Sequence, residues 1–82
     1  MSNEIDVLIE YIRNEIGFTG PITPDDDLIK AGVLDSFNIV SLAMFAQEHF
    51  KVEFDDEDLV RDNLARLTSL VALINRYRVE QN

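Results

Sequence analysis

Ser36 is the side chain in this sequence best placed to take part in chemistry. It follows Asp35 directly, and a long run of apolar and polar residues without glycine or proline begins at Phe37. A hydroxyl at this junction can accept a covalent group. The same position also suits a structural role, because a short oxygen-bearing side chain accepts hydrogen bonds from the free amides of a first helical turn. Either Asp35 or Ser36 is therefore expected to be an N-cap.

The other candidates for chemistry in this sequence are weak. His49 is the only histidine, and without cysteine or a second histidine it is expected at a helix end or on the surface. The acidic run Asp25–Asp27 has the charge for calcium but lacks the alternating ligands and central glycine of a calcium-binding loop, and Ile29 stands where a ligand belongs. We expect no metal site and no catalytic site.

The residues after Ser36 predict a helix over 37–50. Apolar side chains recur at helical spacing in this run at Ile39, Ala43, Ala46 and Phe50. Ser36 then lies on the first turn of the helix. An anion attached to its oxygen would lie near the positive end of the helix and its unpaired amides, which favours a phosphate diester.

The chain resembles the acyl carrier proteins of the phosphopantetheine-binding family. The attachment motif of that family is Asp-Ser-Leu, matched here by Asp35, Ser36 and Phe37. The likeness extends over nearly the whole chain: an amphipathic first helix, a long loop ending in Gly-Val-Leu-Asp-Ser, a second helix, an acidic Asp-Glu-Asp turn and a closing helix.

The resemblance implies a carrier that catalyses nothing itself. A separate phosphopantetheinyl transferase attaches 4′-phosphopantetheine from coenzyme A to the hydroxyl of Ser36. The thiol of that arm holds an acyl or aminoacyl group as a thioester for enzymes of fatty acid, polyketide, nonribosomal peptide or related biosynthesis. Asp35 is expected to contribute a carboxylate near the metal-bound pyrophosphate during transfer. Phe37 replaces the family's leucine and is expected to fit a pocket near the arm.

Partner enzymes with basic surfaces are expected to bind along and after the second helix. The residues assigned to this contact are Asn38, Ser41, Met44, Phe45, Glu48, Asp56 and Glu57. The residue Phe45 is ambiguous, since a core position and an exposed contact fit it equally. In this helix Asn38, Ser41 and Gln47 stand where acidic residues are common in fatty acid carriers, so we expect a dedicated carrier that serves one ligase or synthase. The stretch 31–36 also resembles the D-alanyl carriers and the discrete peptidyl carriers, which are loaded by adenylating ligases.

Composition narrows the class of protein further. The chain has 82 residues, no cysteine and a net charge of −9, from 16 acidic and seven basic side chains. We expect one domain over 1–82, a monomer without disulfides. The excess of negative charge makes nucleic acid and anionic membranes poor partners. The absence of a signal peptide and of a membrane-spanning apolar run leads us to expect a cytoplasmic protein without membrane insertion.

The remaining pattern predicts an all-α bundle of three long helices and a short third one. The first helix has an apolar face, capped by Ser2 or Asn3 and ended near Gly17, and a long loop follows up to Asp35. The loop residues expected to pack on the core are Phe18, Ile22, Leu28, Ile29, Val33 and Leu34. The acidic run 55–58 is expected to begin the third helix, and Thr68 or Ser69 to cap the last.

One alternative from another class of function remains open. In it the chain is a non-catalytic acidic helical adaptor, Ser36 is only a helix cap, and Phe37, Met44 and Phe45 form a docking patch for a partner helix. That hypothesis predicts a loss of about 1 kcal/mol of stability for Ser36→Ala with binding retained. The carrier hypothesis predicts a complete loss of loading with the fold retained.

Overall fold

The computed structural model describes residues 3–81, and this part of the chain is all-helical, as predicted. Four α-helices follow one another: α1 (Glu4–Tyr11), α2 (Ser36–Phe50), α3 (Arg61–Leu64) and α4 (Leu67–Gln81). A π-helical turn over Ile12–Ile16 extends α1, and a 3-10 turn over Asp56–Asp58 precedes α3. The predicted bundle of three longer helices, a short third helix and one long loop is confirmed.

The first helix begins and ends where the sequence indicates. The side chain of Asn3 accepts a hydrogen bond from the amide of Asp6 at 2.8 Å, and Gly17 ends the helix with a left-handed φ of 88°. Leu8 and Ile12 are fully buried. The last turn widens because the amide of Gly17 donates to the carbonyl of Ile12, five residues back, at 2.8 Å.

The long loop between α1 and α2 is packed on the bundle rather than free. Its side chains Leu28, Val33 and Leu34 are buried. The expected contacts of Phe18, Ile22 and Ile29 are also present, each partly buried. Arg13 holds the first part of the loop by donating to the carbonyl oxygens of Phe18 and Gly20, at 3.2 and 2.6 Å.

Two predicted boundaries in the second half of the chain are wrong. The acidic run does not start α3, because a 3-10 turn ends at Asp58 and Leu59 and Val60 separate it from Arg61. The last helix is not capped by Thr68 or Ser69, because it already begins at Leu67. The amide of Thr68 instead donates to the carbonyl of Pro24 at 3.3 Å, so the loop supplies an acceptor for the first turn.

One apolar core lies between the three longer helices. The largest side chains that are completely buried in it come from every helix and from the loop: Leu8, Ile12, Leu28, Leu42, Leu64, Leu67, Leu70 and Ile74. The α2 positions Ile39, Ala43 and Ala46 face this core, as the helical spacing predicts. The opposite side of α2 is therefore left exposed, with Ser36 at its first position.

Candidate functional site

Asp35 caps α2, and Ser36 is the first residue of the helix. Oδ1 of Asp35 accepts hydrogen bonds from the amides of Phe37 at 2.9 Å and Asn38 at 2.7 Å. Ser36 is exposed and makes no cap of its own. Capping therefore belongs to Asp35 alone, and the hypothesis that Ser36 is the helix cap is wrong.

The capping also corrects the expectation about the amides at this helix end. Two of the amides that the sequence left unpaired are bonded to Asp35. An anion on the Ser36 oxygen would still lie at the positive end of a 15-residue helix. The helix dipole remains as a favourable term, whereas direct bonds from the amides of Phe37 and Asn38 are already taken.

The loop fixes the position of Asp35 through a turn around Asp27. The carboxylate of Asp27 accepts bonds from the amides of Ile29 and Lys30 at 3.0 and 3.1 Å. The bond from Lys30 above all, with Arg61 3.4 Å away, holds the pKa of Asp27 below its ordinary value of 3.8. Gly32 then takes a left-handed φ of 80°, which turns the chain back into the core.

The two residues after this turn anchor the site to the core. The amides of Val33 and Leu34 both donate to the carbonyl of Leu28, at 2.9 and 3.1 Å. Leu34 is buried directly before the exposed Asp35. Ser36 thus lies at the surface after a connection that is packed and hydrogen-bonded to the core.

Large apolar side chains beside Ser36 are exposed. Phe37 is 77% exposed, Met44 63% and Val40 50%, and Leu59 and Val60 extend this surface from the segment before α3. Phe37, which was expected to fit a pocket near the arm, lies on the surface of the described chain. An exposed apolar patch of this kind is typical of a contact with a ligand or another protein.

The crevice between α2 and α3 is small. Its volume is about 30 Å³, and it is lined by Val40, Ala43, Met44, Gln47, Leu59 and Leu64. A space of that size holds little more than one or two water-sized groups. Gln47, which the sequence suggested only as a missing acidic residue, accepts a bond from the amide of Phe54 at 2.9 Å and ties the following segment to α2.

A hydrogen-bond cluster that the sequence did not reveal holds the acidic turn on α4. The hydroxyl of Tyr77 donates to the carboxylate of Asp58 and accepts a bond from the amide of Asp55 at 3.4 Å. Arg76 lies 3.3 Å from Asp58. The bond from Tyr77, helped by Arg76, holds the pKa of Asp58 below 3.8, and the same bond together with burial raises the pKa of Tyr77 above 10.0. Asp56 and Glu57, predicted to contact partners, remain exposed on this anchored turn.

The structure gathers four of the predicted partner-binding residues on the other flank of α2. Ser41, Met44, Phe45 and Glu48 line an open groove together with Tyr11 and His49. Phe45 is half-buried, so it is neither a full core residue nor a free surface residue. The predicted partner residue Asn38 is also half-buried, and Glu48 is exposed. Tyr11 and His49 belong to this surface although sequence reasoning gave them no role.

None of the helices in the described residues is long and apolar enough to cross a membrane. In the same part of the chain, no cluster of three or more histidine, cysteine, aspartate or glutamate side chains is arranged to hold a metal ion.

Comparison with known proteins identifies the family. The family model described as a phosphopantetheine attachment site matches residues 6–76, most of the chain. No curated protein and no solved structure matches this chain. Domains of this family carry covalently attached 4′-phosphopantetheine, are non-catalytic, and interact with phosphopantetheinyl transferases and synthase enzymes. The chain belongs to the phosphopantetheine-binding carrier protein family.

Proposed function

We propose that the hydroxyl of Ser36 is the point at which this carrier receives 4′-phosphopantetheine. The observation that carries the proposal is the position of Ser36 as an exposed first residue of α2 with the helix already capped by Asp35. A hydroxyl used as a cap would lose a structural bond on modification. Here the oxygen of Ser36 can be modified while the cap stays intact.

The residues around Ser36 fit such a group. An exposed hydroxyl, the positive end of α2 and the exposed apolar side chains of Phe37, Val40 and Met44 lie in one region of the surface. When bound, the group supplies a thiol that holds an acyl or aminoacyl cargo as a thioester. The chain itself has no cysteine, so it contributes no competing thiol.

The chain leaves the chemistry to its partners. His49 follows Ser36 by 13 residues in the same helix, which places it about 20 Å along the axis. It is therefore too far from Ser36 to act as a base on its hydroxyl. Asp35 positions Ser36 through the cap, and both cap bonds use Oδ1. The other carboxylate oxygen of Asp35, Oδ2, is the one that we assign to the contact with the transferase.

We assign the cargo to a dedicated pathway rather than general fatty acid synthesis. On α2 the partner-facing positions Asn38 and Ser41 are neutral, and Glu48 supplies the negative charge. The crevice of about 30 Å³ beside Met44 supports a short or polar cargo that stays outside the bundle. We further propose that residues 1–82 act as a single carrier domain.

Intact-mass measurement tests the attachment site. The purified protein is incubated with coenzyme A, magnesium and a broad-specificity phosphopantetheinyl transferase, beside Ser36→Ala and the matched variant Ser41→Ala. We expect a gain of one phosphopantetheinyl group in the wild type and in Ser41→Ala, and none in Ser36→Ala. A folded wild-type protein that gains no mass with several transferases would refute the proposal and favour an acidic helical adaptor that carries no group on Ser36.

A further inference from the structure

Four aromatic rings form a continuous row across the face shared by α1 and α2. The rings of Tyr11 and Phe45 stack with centroids 4.3 Å apart, and those of Phe45 and His49 are 5.3 Å apart. His49 in turn meets Phe50 edge-on at 4.9 Å. The row begins at Tyr11, which lines the open groove, and ends at Phe50.

An arginine of the chain itself lies on one end of this row. The guanidinium carbon of Arg78 is 5.8 Å from the ring centroid of Phe50, and a guanidinium nitrogen is 3.4 Å from the carboxylate of Glu4. The same combination occurs on α4, where Arg76 lies 5.1 Å from the ring centroid of Tyr77 and 3.3 Å from the carboxylate of Asp58. A ring and a carboxylate together thus bind a guanidinium twice in this chain.

The other end of the row offers the same two groups to an outside ligand. The groove there has a volume of about 400 Å³ and is lined by the rings of Tyr11, Phe45 and His49 together with Glu48. A neighbouring groove of about 390 Å³, on the α1 side of the same rings, adds Glu10 and Glu15. Glu48 is the one acidic side chain in the first groove, and the chain as a whole carries a net charge of −9.

We propose that this groove binds an arginine side chain of a partner enzyme, with the guanidinium against the three-ring stack of Tyr11, Phe45 and His49 and paired with Glu48. An arginine fits better than a lysine because its planar group stacks on rings and forms forked bonds to a carboxylate. The negative charge of the chain favours a basic protein surface. The inference rests on the proposed function only in that the partners are the enzymes that use the group on Ser36.

Peptide titration of the unmodified protein tests the groove. The probes are acetylated, amidated Gly-Arg-Gly and its lysine and citrulline counterparts, and the readout is the NMR signals of the Tyr11, Phe45 and His49 rings. We expect the arginine peptide to shift these signals with an affinity in the millimolar range, the lysine peptide to shift them less, and the neutral citrulline peptide not to shift them. Equal shifts with arginine and citrulline would overturn the proposal.

Variants distinguish an effect on binding in the groove from an effect of net charge or of lost folding. Glu48→Gln is expected to weaken binding of the arginine peptide about two- to fivefold, whereas Glu53→Gln, an equal charge change at another exposed site, leaves it unchanged. Phe45→Leu is expected to weaken it by a similar factor and Phe45→Tyr to retain it, with circular dichroism showing that both remain folded. Equal losses in the two glutamate variants would refute the specific pairing with Glu48.

The peptide titration does not require Ser36 to be modified. Failure of loading with intact peptide binding would therefore reject the proposed function and keep the groove. Loading without peptide binding would reject the groove and keep the carrier.

Discussion

Oδ1 of Asp35 accepts a hydrogen bond from the amide of Asn38 at 2.7 Å, and this bond sets the start of α2. The helix then begins at Ser36, whose side chain is exposed and contributes nothing to the cap. Two adjacent residues that look interchangeable as caps therefore have separate roles. Asp35 stabilises the helix end, and the side chain of Ser36 stays exposed beside it.

Stability measurements distinguish these two roles. Replacing Asp35 with alanine removes the acceptor for two amides, so Asp35→Ala is expected to lower the free energy of unfolding by about 1 kcal/mol. The variant Ser36→Ala changes an exposed side chain that caps nothing, and we expect a change within about 0.5 kcal/mol. Urea unfolding at neutral pH measures both. Equal destabilisation by the two variants would show that Ser36 shares the capping.

The charge of Asp35 can be tested separately from its capping. Asparagine is also a good N-cap, so Asp35→Asn is expected to keep the stability within a few tenths of a kcal/mol. It removes the carboxylate that we assign to the transferase contact, and loading of Ser36 is expected to become slower. The rate of mass gain in the transferase reaction measures this.

The control for that experiment is Asp26→Asn, which makes the same charge change at an exposed position in the loop. Loading of this variant is expected to match the wild type. If both variants load equally slowly, net charge rather than the position of Asp35 governs the encounter.

The bond between Tyr77 and Asp58 predicts how stability depends on pH. Because the pKa of Asp58 is lower in the folded chain than its ordinary 3.8, its contribution is complete above about pH 5 and is lost as the pH falls through 3.8 towards the folded value. Because the pKa of Tyr77 is raised above 10.0, its contribution is complete below about pH 9 and is lost as the pH rises through 10.0 towards the folded value.

The variant Tyr77→Phe keeps the ring and removes the hydroxyl. We expect a lower urea midpoint at neutral pH and a smaller loss of stability on the alkaline side than in the wild type. Part of the acid-side loss is expected to remain, since Arg76 still lies beside Asp58. A wild type and a variant with parallel stability curves from pH 3 to pH 11 would contradict the role of this bond.

The left-handed turn at Gly32 is a further test of how the site is held. A Cβ atom at this position would meet nothing within 4 Å, so the cost of a side chain there is the backbone conformation alone. We expect Gly32→Ala to lower the free energy of unfolding by about 1 kcal/mol and Gly32→Asn to lower it less, because asparagine adopts this conformation more readily. Thermal or urea unfolding measures the difference. Equal effects would mean that the φ of Gly32 does not limit stability.

Local sequence patterns were sufficient for most of the fold and for the choice of Ser36. The helices α1 and α2 follow from apolar residues at helical spacing, with Asn3 and Gly17 marking the ends of the first helix. The loop residues Leu28, Val33 and Leu34 were also predicted to be buried, and they are. These features depend on residues close together in the chain, so a pattern shows them.

Contacts between residues far apart in the chain set the features of the fold that local patterns did not predict. The last helix begins at Leu67 rather than at a serine or threonine cap, because the amide of Thr68 finds its acceptor on Pro24, 44 residues earlier. The break before α3 accompanies the bond from Tyr77 to Asp58, which spans 19 residues. No local pattern encodes such pairings.

The sequence by itself determined an all-helical chain with a serine on the first turn of its second helix, because caps and apolar periodicity act within one or two turns. Only the tertiary structure decided that Phe45 stacks on Tyr11 and that Glu48 shares a groove with both. That surface depends on how closely α1 and α2 pack, and their packing is set by the whole core.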